Sequence, residues 1–73
     1  MAKTLATFDA ATGDPRYVDE GHVRQVWRDG TRYMALVRSE AYPSRWTDER
    51  TVILAPGEGR RLYVRFNGAQ PPR

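Results

Sequence analysis

The sequence has no cysteine. That excludes a disulfide and any thiolate metal site as a source of stability. There is one histidine, His22, so the commonest acid–base and metal-binding side chain is nearly missing. There is one lysine, Lys3, beside eleven arginines. No apolar run approaches the ~20 residues a membrane helix needs. The opening stretch "MAKTLATFDAATG" lacks the long apolar core of a secretory signal. These absences lead to the expectation of a soluble protein in a reducing cytoplasm.

What is present must do more work. Seventy-three residues allow one domain. A chain this short buries roughly 60% of its unfolded surface, so its core is thin. Eight aromatics and the Val, Leu and Ile residues have to fill it. The formal charge is +3, carried mostly by Arg. Its planar fork pairs with carboxylates or phosphates and stacks on rings. Base composition of the gene explains Arg usage equally well. Nine acidic residues are interspersed, so there is no basic block of the kind found in nucleic-acid tails.

Along the chain, "TLATFD" (Thr4 to Asp9) reads as a first strand. Asp14-Pro15 suggests a helix start and a short helical turn over Pro15 to Glu20. Val23, Val26 and Trp27 stand at helical spacing. Gly21 disfavours one continuous helix by about 1 kcal/mol, and the Val and Trp content favours a strand from His22 to Arg28. Asp29-Gly30 reads as the centre of a two-residue hairpin turn. That register pairs Trp27 with Arg32, Val26 with Tyr33, Gln25 with Met34 and Val23 with Leu36. Pro43 keeps Tyr42 out of a helix. A short turn from Ser44 to Glu49 would let Trp46 dock. "TVILA" (Thr51 to Ala55) has the continuous apolar character of a central strand. "PGEG" reads as a loop. "RRLYVRF" (Arg60 to Phe66) alternates, with Leu62, Val64 and Phe66 inward and Arg61, Tyr63 and Arg65 outward, and predicts a second hairpin.

The expected fold is α+β and mainly β: a small antiparallel sheet of about four to five strands with one or two short helices. An open sheet and a small SH3-like barrel both fit. Residues 1–66 are expected to form the compact domain and residues 67–73 a disordered tail.

No constellation suggests catalysis. Ser39, Ser44 and His22 follow no nucleophile spacing. The adjacent pairs Asp19-Glu20 and Asp48-Glu49 do not face each other on a helix. "GEGRR" lacks the Lys and Ser/Thr of a phosphate loop. No enzyme, metal or cofactor is expected. The best candidate is a surface of Arg and aromatic residues: Arg28 and Arg32 flanking the turn, and Arg60, Arg61, Tyr63 and Arg65 on the last expected strand. Such a surface suits a protein contact. It also suits single-stranded nucleic acid.

From "MAKTLATFD" to "NGAQPPR", the whole chain resembles, in length and character, the small phage-encoded regulators of bacterial RNA polymerase. The resemblance implies a partner, the N-terminal part of the polymerase β′ subunit. It also implies a mode of action, inhibition of initiation by displacing σ, with a further role in antitermination. A monomer in the host bacterial cytoplasm, with no membrane partner, is expected. A small nucleic-acid-binding domain, or another host-takeover inhibitor such as an anti-CRISPR protein, is the alternative.

Overall fold

The computed structural model describes residues 3–38 and 49–68. It is an α+β structure dominated by one five-stranded antiparallel sheet. The strands are β1 (Thr4–Asp9), β2 (Pro15–Asp19), β3 (Val23–Asp29), β4 (Arg32–Arg38) and β5 (Glu49–Leu54). One helix, α1 (Pro56–Asn67), follows. The spatial order is β2-β1-β5-β4-β3, so β5 is central, as its apolar run predicts.

The sheet is curled. Its two edge strands, β2 and β3, are joined by a single 3-10 turn, Glu20–His22. The four Cα steps from Asp19 to Val23 reach at most ~15 Å. The edges of a flat five-stranded sheet stand ~19 Å apart. The strands must therefore roll toward a barrel to bring the edges within reach. β2 and β3 remain the edges of the sheet, and the β1–β5 pairing joins its N-terminal hairpin to the strands of its other half.

Alternation assigns the two faces. Leu5, Thr7 and Asp9 point inward from β1 and are buried. Val52 and Leu54 do so from β5, and Ala35 and Val37 from β4. On β3, Val23 and Val26 are three residues apart yet both buried. A bulge between Val23 and Gln25 absorbs the odd residue, Arg24, and keeps both valines inward. The helical spacing noted in the sequence is thus a bulged strand.

Three expectations are overturned. Residues 15–19 form β2 rather than a helical turn. Tyr17-Val18 favours extended backbone, and Asp9 supplies the local reason. Its Oδ1 accepts hydrogen bonds from the amides of Ala11 (2.8 Å) and Thr12 (3.3 Å), and its carbonyl accepts one from Gly13 (2.7 Å). Gly13 takes a positive φ. This tight reversal sends the chain straight back along β1, with Phe8 opposite Pro15.

The β3–β4 hairpin exists, but its turn centre lies one residue later than expected, so Gln25, Val26 and Trp27 each pair two residues beyond the expected partner. Asp29 pairs with Arg32, Arg28 with Tyr33 and Trp27 with Met34. The central residues are Gly30 and Thr31, and only Gly30 has positive φ. Gly at the first central position is the II′ pattern, not the Asp-Gly I′ turn.

The largest correction is at residues 56–67, expected as a loop and strand and found as a helix. Pro56 occupies the first turn, and Gly68 closes the end in the left-handed region. Gly59, Leu62, Tyr63 and Phe66 face the sheet at i, i+3, i+4 and i+7. Leu62 is fully buried in the core. Gly59 lies directly over Tyr33. The helix carries Asn67, one residue past the expected limit of the compact part. The turn expected over Ser44 to Glu49 and the docking of Trp46 lie outside the described residues, except that Glu49 begins β5. So do residues 69–73 of the expected tail.

Candidate functional site

The six expected contact residues do not form one surface. A helix separates what a strand would have aligned. Arg61 and Arg65 share one flank of α1, four residues apart, while Tyr63 turns toward the sheet. Tyr63 is half-buried, its ring 5.8 Å from that of Tyr33. Arg28 lies on the inner side of β3, 5.5 Å from the Tyr33 ring centre, and donates to the Gly30 carbonyl at 2.8 Å. Arg32 faces the other way, 3.8 Å from Asp29. Arg60 is exposed on the helix flank away from Arg61 and Arg65.

Arg61 and Arg65 are engaged within the fold. Arg61 Nη2 donates to Glu20 Oε1 at 2.5 Å and to Glu58 Oε2 at 2.9 Å. Arg65 Nη1 pairs with Glu20 Oε2. Lys3 Nζ lies 3.1 Å from Glu58 Oε2. Three cations thus surround two carboxylates. The hydrogen bond from Arg61 holds both Glu20 and Glu58 below the usual carboxylate range, with Lys3 adding to the effect on Glu58. The same pairs push the Arg61 guanidinium up. The network fastens α1 to the 3-10 turn between the sheet edges. On the other flank, the Asn67 amide donates to the Val26 carbonyl at 3.1 Å.

A second ionic group sits on the inner face. The Asp9 carboxylate is hidden from solvent, with Arg16 Nη2 at 3.2 Å and Arg50 Nη1 at 3.6 Å. The Ala11 amide is the main reason its carboxyl titrates below the ordinary range, and burial partly opposes this. A shallow depression of about 450 Å³ beside it is lined by Ala10, Ala11, Glu49, Arg50 and Thr51. Its mixed charge favours no ligand class.

The hairpin pairing read from the sequence already puts Trp27, Met34 and Leu36 on one face, but does not reveal the apolar row that runs across the whole sheet. Phe8 stands opposite Pro15 on one side and Ile53 on the other. Met34 stands opposite Ile53, and Trp27 opposite Met34. One apolar residue from each strand therefore forms a continuous row, Pro15–Phe8–Ile53–Met34–Trp27. At ~4.8 Å per strand it spans roughly 19 Å. Leu36 and Tyr17 flank it on the same face by alternation. Phe8 is 49% exposed and Tyr17 77%. Met34 is buried, yet it is not part of the inner core cluster. The charges on this face nearly balance: Asp19, Asp29 and Glu49 against Arg32 and Arg38. The row is visible only once strand register is known.

Comparison with known proteins gives no match: no family model, no curated protein and no solved structure resembles this chain. No described helix is long and apolar enough to cross a membrane.

Proposed function

We propose that this chain is a protein-binding regulator that acts by occupying a surface of another protein, and that its partner is bacterial RNA polymerase, at the β′ subunit. The observation that carries the binding role is the apolar row across the outer face, with Phe8 exposed within it and Tyr17 exposed beside it. Exposed aromatics on a charge-balanced face fit a protein contact better than a phosphate backbone. The choice of polymerase comes from the whole-chain resemblance.

On this reading the protein inhibits initiation by binding core enzyme more tightly than holoenzyme, and so displaces σ. By linkage, σ weakens its binding by the same factor. Antitermination would follow from continued occupancy of core during elongation.

Binding of the protein to immobilised core polymerase and holoenzyme tests the proposal. The expected result is tighter binding to core, with Phe8→Ser and Tyr17→Ser each lowering affinity about tenfold, the order of a 1.4 kcal/mol loss. Both side chains are exposed, so the variants should remain folded. Unchanged core binding by both would remove the outer face as the contact. Failure of the wild type to bind either form would remove polymerase as the partner.

A further inference from the structure

A cleft of about 290 Å³ opens at the edge of the sheet, between β3 and the C-terminal turn of α1. It is lined by Arg24, Gln25, Val26, Trp27, Phe66 and Asn67. Its size suits one planar ring or side chain rather than the face of a folded partner.

We infer that this cleft binds one unstacked base of a single-stranded nucleic acid, with the adjacent phosphate on Arg24. Four observations support this. Two aromatic residues, Trp27 at the end of the outer row and Phe66 on the inner side, border the same small space, and every base has a π-face that an aromatic ring can stack on. Two side-chain amides lie beside them. The Asn67 amide nitrogen is already committed to the Val26 and Tyr63 carbonyls, which fixes the side chain and leaves its oxygen as an acceptor. Gln25 is exposed and offers both donor and acceptor to a base edge. The charge is of one sign, because the lining includes an Arg and no acid. That selects an anionic ligand.

The fourth observation is how Arg24 comes to be there. It is the extra residue of the β3 bulge. Bulges re-aim a side chain out of the strand alternation. Here the bulge keeps Val23 and Val26 in the core and leaves Arg24 exposed at the mouth of the cleft.

The site is distinct from the outer-face row that carries the proposed polymerase contact, although Trp27 ends that row. The test uses the full chain labelled with nitrogen-15 and a deoxyadenosine dodecamer. Titration is expected to shift the amides of residues 24–27, 66 and 67 together with the Trp27 indole N–H. Arg24→Ala should weaken binding about fivefold at low salt and lower the slope of log affinity against log salt by about one, the signature of one lost phosphate contact. Arg24 is exposed, so the rest of the spectrum should be unchanged. The inference is overturned if the shifts are absent or fall elsewhere, or if the salt slope is unaltered in the variant. Equal shifts of the same amides by hexaglutamate would also overturn it, in favour of an acidic peptide. Capture of core polymerase by Arg24→Ala should match wild type, so the two proposals can fail separately.

Discussion

Replacing Gly59 by Ala probes how α1 is seated. A Cβ on Gly59 would stand 2.4 Å from Tyr33 Cβ, 2.7 Å from Cγ and 2.8 Å from Cδ2. Non-bonded carbons rest at about 3.5–4.0 Å, so the approach is too close by roughly 1 Å or more. Tyr33 Cβ is fixed to the backbone of β4, which is paired on both sides. It cannot swing away, and the helix must lift. Forcing one methyl into a packed contact costs about 1–3 kcal/mol, and this clash belongs at the upper end. Ala returns at most about 1 kcal/mol through helix propensity. The net loss is about 2 kcal/mol. For a domain of this size that lowers the melting temperature by roughly 8–16 °C. Gly57 is the control, two residues earlier in the same helix, where an added Cβ meets nothing within 4 Å. Gly57→Ala should be neutral or stabilising by up to about 1 kcal/mol. Thermal melts followed by circular dichroism decide the matter. Equal shifts in the two variants, or a Gly59→Ala protein as stable as wild type, would refute the described seating of the helix.

Leu62→Ala should cost about 2–5 kcal/mol in urea unfolding, because the side chain is fully buried and its cavity cannot collapse without moving α1. Gly30→Ala should lower the urea midpoint by the equivalent of about 1–2 kcal/mol, since residue 30 has a φ of 63°. An unchanged midpoint would remove the turn assignment. Asp9, Glu20 and Glu58 all titrate below their ordinary values in the fold. The unfolded chain therefore takes up protons first as pH falls. Their stabilisation is complete above the unfolded pKa values and is lost as pH drops through the lower folded ones. Melting temperature should hold from pH 7 to about 5 and fall below about 4; a decline already complete by pH 6 would contradict this. Glu20→Gln should reduce the salt dependence of stability with only a small loss, because exposed ion pairs contribute about 0.2–1 kcal/mol each.

The parts of the fold legible in the sequence are those where one periodicity dominates. β1 alternates loosely, and "TVILA" is a nearly continuous apolar run, so both read as strands. α1 was hidden because Leu62, Val64 and Phe66 satisfy a period of two while Gly59, Leu62, Tyr63 and Phe66 satisfy a helix. Gly57 and Gly59 weigh against a helix on propensity alone. Only the contact with Tyr33 explains why the second is needed. Pro56 and Gly68 were the local signals that favoured the helix. The hairpin was found through its glycine, but Asp-Gly and Gly-Thr centres differ by one residue, which moves cross-strand partners by two and leaves Trp27 and Met34 on a shared face. The contact surface inherited the error at residues 56–67. Arg61, Tyr63 and Arg65 were aligned on a strand that does not form, and the outer row could not be seen without the register that joins Phe8 to Ile53.

The β1–β5 pairing bears on how quickly the protein folds. Among the described strand pairings, β1 with β2 and β3 with β4 are hairpins with tight turns, which form within about 1–10 microseconds. β1 with β5 is different in kind. It joins Thr7 to Leu54, Phe8 to Ile53 and Asp9 to Val52, positions far apart in the sequence, so a long loop must close. The loop entropy for that step is spent before its contacts return anything. The folding barrier therefore belongs at this three-pair seam, and substitutions there should slow folding more than equally costly ones in either hairpin.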